Sequence, residues 1–315
     1  MTESIDYPGG ISAVDTDHVR PWLDASHLII ERGRAAFVDT GTSHSVPRLL
    51  AALDRAGIGR DAVDYIFVTH AHLDHAGGAG RLLQQLPAAR VVVHPRAAPH
   101  LAEPSKLIAA TRQVYGDSYD RLYGDIAPIP RERLLITEDG ARYPLAGRGF
   151  ECLHTPGHAL HHYVLVDRAA QAVFAGDTFG VSYREFDVDG REFVFPATTP
   201  SHFDPEALHA SVERIVKTGA RYVFVTHFGR VGHISALARS LHEGIDAYVE
   251  MALNRARVPD REQRLCEDMY RWMSERLDAH GDRRDDRTRH GLLDGDIALN
   301  VAGLTAWLDR RARLS

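Results

Sequence analysis

The sequence predicts a layered α/β domain followed by a helical C-terminal extension. From residue 28 to residue 227, short apolar segments with strand character alternate with helical stretches. This alternation is typical of α/β layers. Beyond Pro259 the pattern is helical and shows no strand character. We therefore expect an α/β domain over residues 1–258 and a helical extension over residues 259–315.

The predicted strands are short apolar runs that end on polar or glycine residues. They cover residues 28–31, 35–41, 64–69, 90–94, 150–154, 163–167, 172–175 and 221–226. One predicted helix begins at Asp204, because this N-cap residue is followed by Pro205 at the first helical position. The predicted helices cover residues 46–56, 79–86, 204–217, 234–257, 261–279 and 292–313, and residues 99–126 are assigned as helical or irregular.

Composition and charge exclude several function classes. The chain has 315 residues, with 37 Lys and Arg against 43 Asp and Glu, which gives a formal charge of -6. This balance disfavours a nucleic-acid protein, because phosphate binding needs an excess of cations. No apolar run reaches the roughly 18 residues of a membrane span, and the N-terminus lacks a signal-peptide pattern. We expect a cytoplasmic protein with a small-molecule substrate and no nucleic-acid or membrane partner. Whether the protein forms a homodimer is left open by the sequence.

Histidine is the residue type that points to metal chemistry. Cys152 and Cys266 are too few for a disulfide framework or a thiolate zinc site. The chain has 19 histidines, and several of them crowd into short segments. Imidazole is the commonest metal ligand, so the spacing of these histidines carries the functional signal.

The segment THAHLDHAGG, residues 69–78, is the strongest candidate for a metal site. His70 and His72 follow a predicted strand two residues apart, so they point to the same side of an extended backbone. Asp74 and His75 come where the chain turns toward a helix and can face a second ion. Zinc, iron and manganese accept imidazole and carboxylate ligands. The alternative is a solvated polar loop, but four ligand-type residues in six positions favour metal binding.

Three further candidate ligands follow other predicted strands. His158 lies in HTPGH, Asp177 in AGDT and His227 in VTHFG. A single residue of this kind is more often part of the surface or the core. Their common placement supports all three, because functional groups gather on loops at one edge of a sheet. A carboxylate such as Asp177 can also bridge two cations.

The motifs THAHLDHAGG, HTPGH, AGDT and VTHFG, in this order, resemble those of the metallo-β-lactamase superfamily over residues 13–230. The resemblance implies an αββα sandwich with a two-metal site at one edge, with zinc as the expected metal and iron or manganese as alternatives. Asp39 matches a family position that supports the site without binding metal. The resemblance implies that His70, His72 and His158 hold the first ion, that Asp74, His75 and His227 hold the second, and that Asp177 bridges them.

The bridging aspartate makes the chain resemble the glyoxalase II and lactonase branch, since true β-lactamases lack it at the position of Asp177. Acyl-homoserine lactonases carry a tyrosine where this chain has Gly180, and Tyr183 is a distant substitute. Glyoxalase II carries a tyrosine where this chain has Gly229. Flavodiiron proteins carry a glutamate at the position of Leu73. The sequence therefore departs from each of these groups at one pocket position or more.

The predicted function is hydrolysis of a small ester, thioester or lactone by a metal-activated water, with Asp74 as the catalytic proton acceptor. Two alternatives stay open. One is an oxidoreductase similar to the persulfide dioxygenases, which keep these motifs and bind a single iron at the first site. The other is a binding or regulatory protein that retains the fold, since fold does not fix function.

Several other residues have two interpretations each. His161 and His162 either contact the site from outside or lie in a solvated loop, and His202 and Tyr183 either line the pocket or lie on the surface. Four phenylalanines are predicted to be core residues, namely Phe179, Phe186, Phe193 and Phe195. The mixed charges over residues 282–289 predict a solvated linker between the two last helices and not an anion site.

Overall fold

Two β-sheets pack face to face, and helices cover the outer side of each sheet. This arrangement is seen in a computed structural model that describes residues 4–200 and 202–314. Within those residues the first sheet has seven strands in chain order: β1 (Ser4–Tyr7), β2 (Ile11–Asp15), β3 (Ala25–Glu31), β4 (Arg34–Val38), β5 (Val63–Phe67), β6 (Arg90–Val93) and β7 (Leu134–Ile136). Strands β4 to β7 are parallel to one another, and β1 to β4 are antiparallel.

The second sheet has six strands within the described residues. They are β8 (Arg142–Leu145), β9 (Arg148–His154), β10 (Tyr163–Asp167), β11 (Ala172–Gly176), β12 (Tyr222–Val225) and β13 (Gly229–Val231), in the spatial order β13-β12-β11-β10-β9-β8. Only the pair β11 and β12 is parallel among the described strands of this sheet. The αββα sandwich that the resemblance implied is therefore confirmed.

The helices belong to three regions of the chain. The first sheet is accompanied by α1 (Val46–Arg55), α2 (Leu73–Ala76), α3 (Ala79–Gln85), α4 (Ala98–Ala102), α5 (Ser105–Tyr115) and α6 (Tyr119–Tyr123). The second sheet is covered by α7 (Pro205–Lys217) and α8 (Ile234–Arg255). The C-terminal extension consists of α9 (Arg261–His280) and α10 (Asp286–Leu314). No helix in the described part of the chain is long and apolar enough to cross a membrane.

The strand periodicity divides the apolar side chains between the layers. Val38 of β4 lies in the core between the two sheets, in one cluster with Phe174. The preceding residue, Phe37, lies in the cluster on the opposite face, with Leu49 of α1. Successive side chains of a strand point to opposite faces, so a fully apolar strand such as β4 serves two cores at once.

The C-terminal helices share a core with the segment that follows β11. Leu277 of α9 and Leu304 of α10 lie in one buried cluster with Phe186 and Phe195. All four phenylalanines predicted as core residues are buried, with Phe179 under α8 and the others in this C-terminal cluster. The two helices therefore pack directly on the segment between β11 and α7. The proposed domain boundary after residue 258 stays a prediction.

The structure corrects two parts of the sequence prediction. Five strands were not predicted, namely β1, β2, β7, β8 and β13. Two of them carry weak strand patterns, because β8 contains Pro144 and β13 has three residues and begins with a glycine. The charged stretch near residue 285 is not wholly a solvated linker. Asp282 and Arg289 are buried and ion-paired at 3.0 Å, and α10 begins within this stretch at Asp286.

A buried histidine between the sheets predicts acid sensitivity. His27 packs edge-on against the rings of Phe174 and Phe224, with centroids 5.4 and 5.3 Å away. Burial lowers its pKa from 6.5 to about 4. Below pH 6.5 the unfolded chain therefore binds a proton that the folded chain rejects, and stability falls as the pH drops toward 4. We expect His27→Leu to remove about 2 kcal/mol of the loss of unfolding free energy between pH 7 and pH 5.

This expectation is checked by urea unfolding at both pH values in the presence of a chelator, so that metal release does not contribute. The exposed His44 offers a control, because His44→Gln should leave the pH dependence unchanged. An identical acid dependence in wild type and His27→Leu would show that this histidine does not drive it.

Candidate metal centre

The candidate ligands meet at the edge of the sandwich where the parallel strands end. β5 leads into His70 and His72, β11 into Asp177 and β12 into His227. His158 lies on the loop between β9 and β10. Because the carboxyl ends of parallel strands lie at one edge, residues from distant parts of the chain converge here.

The glycine of the AGDT motif allows this convergence. Gly176 has a φ of +48°, a left-handed conformation that favours glycine. A Cβ at this position would lie 2.6 Å from His162 Nε2 and 2.8 Å from Thr69 Oγ1. The absence of a side chain therefore lets β11 approach the histidine-rich loop and deliver Asp177 between the other ligands.

Three histidines and one aspartate form the first cluster. The ligand atoms of His70, His72, His158 and Asp177 all lie within 4.8 Å of one another. His72 Nδ1 lies 2.8 Å from His70 Nε2 and 3.1 Å from His158 Nε2. All of these side chains are buried or nearly so. The distances are short enough for a single ion to contact every member.

Asp74, His75 and His227 form the second cluster. The Oδ2 atom of Asp74 lies 3.5 Å from His75 Nε2 and 3.7 Å from His227 Nε2. Asp177 joins the two clusters, because its Oδ2 lies 3.2 Å from His158 Nε2 and its Oδ1 lies 3.2 Å from His75 Nε2. One carboxylate oxygen thus faces each cluster. The structure brings all seven predicted ligands together, and their binding of metal stays a prediction.

Neighbouring acceptors orient the imidazoles so that electron pairs point into the clusters. The Nδ1 atom of His75 lies 2.8 Å from Asp39 Oδ2, and that of His158 lies 3.1 Å from the Ala197 carbonyl. The Nδ1 atom of His227 lies 2.7 Å from Asp24 Oδ1. An imidazole that faces an acceptor with Nδ1 carries its proton there, which leaves Nε2 free to bind a cation.

The donor set fits divalent cations. His75 Nε2 and Asp177 Oδ1 are buried and have no hydrogen-bond partner. A buried polar atom without a partner costs about 1–3 kcal/mol. A neutral His75 that carries its proton on Nδ1, facing Asp39, presents an electron pair to the Asp177 carboxylate, and neither group can then donate a hydrogen bond. A metal ion between them would satisfy both.

The pKa values of the histidines are lowered at His70 and His72 in the first cluster and raised at His227 in the second cluster. Burial lowers the pKa of His70 and His72 well below 6.5, so these rings are neutral, as metal ligands must be. Burial also acts to lower the pKa of His227, but the carboxylates of Asp24 and Asp177 outweigh it and raise that pKa to about 10. The second cluster therefore has an excess of negative charge that favours a bound cation.

Asp39 supports the candidate ligands through its hydrogen bonds. Its carboxylate accepts hydrogen bonds from the Thr69 amide at 2.8 Å and from the Thr226 hydroxyl at 3.1 Å, in addition to the contact with His75 Nδ1. Asp39 is buried and has a φ of +57°. This one side chain thus connects the ends of β4, β5 and β12, in agreement with the supporting position implied by the resemblance.

The C-terminal extension reaches the first cluster through hydrogen bonds. Asn300 of α10 is buried, and its Oδ1 accepts a hydrogen bond from the Thr198 amide at 2.6 Å. The Thr198 hydroxyl donates to the Asn300 carbonyl at 2.8 Å. The adjacent Ala197 carbonyl is the acceptor for His158 Nδ1. A Cβ at Gly303 would lie 2.6 Å from Thr198 Oγ1, so α10 lies directly against this segment.

The additional histidines have different positions. His162 is buried, and its Nε2 accepts a hydrogen bond from the Asp177 amide at 3.2 Å. His161 is partly buried and accepts a hydrogen bond from the Ala71 amide at 3.3 Å. His202 is exposed, which agrees with the interpretation that it lies on the surface. The solvated-loop interpretation is therefore wrong for His162, which holds the backbone of Asp177.

Tyr183 is buried and not part of a surface loop. Its hydroxyl donates a hydrogen bond to Asp296 of α10 at 3.0 Å, and the Arg20 guanidinium lies 4.5 Å above its ring. Asp24, Asp296 and Asn300 were not identified from the sequence. None of them belongs to a local motif, and only the fold brings them to the site.

Fold and site together define an αββα protein with a histidine and aspartate metal-binding cluster. The chain belongs to the metallo-β-lactamase superfamily, whose family model matches residues 20–227. The metallo-β-lactamase fold-containing protein ST1585 of Sulfurisphaera tokodaii is 30% identical over 216 residues, which are 67% of this chain and 75% of that protein. The hydroxyacylglutathione hydrolase of Aeromonas hydrophila is 27% identical over 60% of this chain, and the match spans 54% of that enzyme.

Solved structures agree with the fold. The crystal structure of ST1585 has a TM-score of 0.61 and 26% identity, and the match covers 74% of this chain and 85% of that one. The metallo-β-lactamase family protein TTHA1429 of Thermus thermophilus has a TM-score of 0.63 at 20% identity. That match covers 98% of this chain and 91% of the other, so it includes the C-terminal helices.

Proposed function

We propose that this chain is a two-metal hydrolase that cleaves a small ester, thioester or lactone. The position of Asp177 carries the proposal, because its two oxygens face two separate ligand clusters. Superfamily membership supports a metal-dependent reaction. The second cluster is complete, with Asp74, His75 and His227 in place, which supports two ions over the single ion of the dioxygenase alternative.

Zinc is the proposed metal. The ligands are imidazole and carboxylate, which zinc binds well, and iron and manganese accept the same set. Two bound divalent ions would supply a nucleophile by lowering the pKa of a coordinated water toward about 7 and would polarise a substrate carbonyl. The protein contributes the ligand geometry and the orientation of each imidazole.

Asp74 is the proposed proton acceptor. Its side chain is 24% exposed, whereas the side chains of Asp177 and His75 are 6% and 0% exposed. Its Oδ2 is the oxygen near the two histidines of the second cluster. In our proposal the second oxygen, Oδ1, takes the proton from the attacking water and returns it to the leaving group.

Two tyrosines stand near Asp74 and are proposed to donate hydrogen bonds to the substrate. The rings of Tyr115 and Tyr123 lie 5.1 Å apart at the ends of α5 and α6. Burial and the nearby Asp74 carboxylate raise the pKa of Tyr115 to about 12. Burial and Asp74 raise the pKa of Tyr123 too. Both hydroxyls therefore keep their protons at neutral pH.

The proposed substrate class follows from the leaving group and the relatives. Esters, thioesters and lactones have leaving groups that need little protonation. The hydroxyacylglutathione hydrolases among the relatives are named for a thioester reaction, which places thioesters first in the proposal. The chain spans about half the length of these enzymes. Gly229 replaces the tyrosine expected for glutathione binding, so the proposal does not specify which thiol forms the thioester substrate.

Metal removal and reloading test this function. Protein stripped by a chelator is reloaded with Zn2+, Mn2+ or Fe2+ and assayed with thioester, lactone and phosphodiester substrates. We expect hydrolysis of a thioester or lactone to return with metal, with a maximum at two ions per chain. Stoichiometric metal without any hydrolysis would contradict the proposal. Activity at one iron per chain with oxygen consumption would support the oxidoreductase alternative.

A further inference from the structure

Two histidines outside the metal centre form a close imidazole pair on neighbouring helices. His209 lies on α7 and His242 on α8, with ring centroids 4.9 Å apart and planes inclined by 18°. Their Nδ1 atoms face each other at 2.6 Å. The side chains are 29% and 24% exposed, so ions in solution can reach them.

Two carboxylates fix the protonation pattern of this pair. His209 Nε2 lies 3.1 Å from Asp246 Oδ1, and His242 Nε2 lies 2.9 Å from Glu213 Oε1. A carboxylate accepts hydrogen bonds, so each Nε2 carries a proton. A neutral imidazole has only one N–H, which leaves an electron pair on each Nδ1. Two electron pairs at this separation repel each other unless a positive species lies between them.

We propose that His209 and His242 bind a transition-metal ion of the zinc class at a peripheral site. Each imidazole has a carboxylate on its far nitrogen, the arrangement that orients a histidine ligand. The charges of Asp246 and Glu213 balance a divalent ion. Two nitrogens on one tetrahedral zinc lie about 3.3 Å apart. The rings therefore separate by less than about 1 Å on binding, and water fills the other positions.

The site would tie α8 to the helix that supports the loop of His158. α7 contacts this loop through hydrogen bonds from the Asp204 amide to the Gly157 carbonyl at 2.8 Å and from the Ser211 hydroxyl to the Pro156 carbonyl at 2.6 Å. An ion bound only by the folded chain stabilises it in proportion to the logarithm of its concentration. Peripheral binding thus predicts a rise of the melting temperature with added zinc.

Zinc titration of protein whose central clusters are already loaded tests the proposal. We expect calorimetry to find one more Zn2+ per chain in wild type than in the double variant His209→Gln/His242→Gln. The melting temperature of wild type should rise with this extra ion, and that of the variant should not. Hydrolysis should be equal in both proteins, which separates this site from the centre.

Two further variants sharpen the result. Glu213→Gln keeps both imidazoles but removes one orienting charge, so we expect its peripheral affinity to fall about tenfold. His233→Gln removes a histidine that pairs with Glu192, and this variant should bind zinc as wild type does. Equal zinc stoichiometry in wild type and the double variant would overturn the proposal. It would indicate that a proton shared between the Nδ1 atoms of His209 and His242 explains their close approach.

Discussion

Replacing Asp177 with asparagine is expected to slow hydrolysis strongly and to lower the metal content of the purified protein. The variant keeps the shape of the side chain but removes the negative charge that faces both clusters. Asparagine keeps one oxygen, so one of the two proposed ions loses a ligand and both lose a neighbouring negative charge, and we expect the rate to fall by about 100-fold or more. Metal analysis by mass spectrometry and the rate on the best thioester or lactone measure the two effects.

Single-cluster variants provide the comparison for Asp177. His72→Ala removes a ligand of the first cluster only, and it should lower both metal content and hydrolysis while the second cluster keeps its residues. His202→Ala alters an exposed histidine that is not among the candidate ligands, and it should change neither quantity. Full activity of His72→Ala after metal stripping, or wild-type metal content in Asp177→Asn, would contradict the proposed centre.

Replacing Asn300 with leucine is expected to weaken metal binding at the first cluster from a distance. Leucine has a similar size but cannot accept the hydrogen bond of the Thr198 amide. That amide would stay buried without a partner, at a cost of about 1–3 kcal/mol in unfolding free energy. The shift of the adjacent Ala197 carbonyl would release His158, and loss of such an orienting contact typically lowers metal affinity about 10-fold or more.

Cobalt titration separates a positioning role from simple destabilisation. Visible absorption of bound Co2+ reports the ligand geometry, and we expect Asn300→Leu to change the spectrum and affinity of one of two ions. Asp309→Asn breaks the ion pair between Asp309 of α10 and Arg261, away from this segment, and should change stability alone. Unchanged cobalt binding in Asn300→Leu would show that α10 does not position His158.

The ligand clusters could be predicted from the sequence because each motif is local. His70 and His72 lie two residues apart after a strand, and their spacing alone places them together. His158, Asp177 and His227 follow other predicted strands, which favoured a common sheet edge, and the resemblance then assigned each of them to an ion. The structure shows this contact at the common edge of the parallel strands.

The supporting residues could not be predicted in the same way. Asp24 contacts His227, and Asn300 contacts Thr198, so each interaction joins residues far apart in the chain. An isolated aspartate or asparagine carries no spacing signal. Short edge strands such as β8 and β13 were missed for a related reason, since their pairing depends on the neighbouring strand more than on their own residues.

The helical extension packs against two segments of the α/β domain. Asp296 accepts a hydrogen bond from Tyr183, and Asn300 accepts one from Thr198, whose neighbour Ala197 contacts His158 through its carbonyl. Superposition on TTHA1429 includes these helices. A homodimer and a cytoplasmic location stay predictions.

The central claim is that seven side chains from two clusters hold a pair of ions bridged by Asp177. Anomalous X-ray diffraction at the zinc edge, from crystals of protein reloaded with zinc, tests it most directly. We predict one peak among His70, His72 and His158, a second among Asp74, His75 and His227, and the Asp177 carboxylate between them. A map with no peak at these residues, or with a peak at only one of the two clusters, would contradict the account.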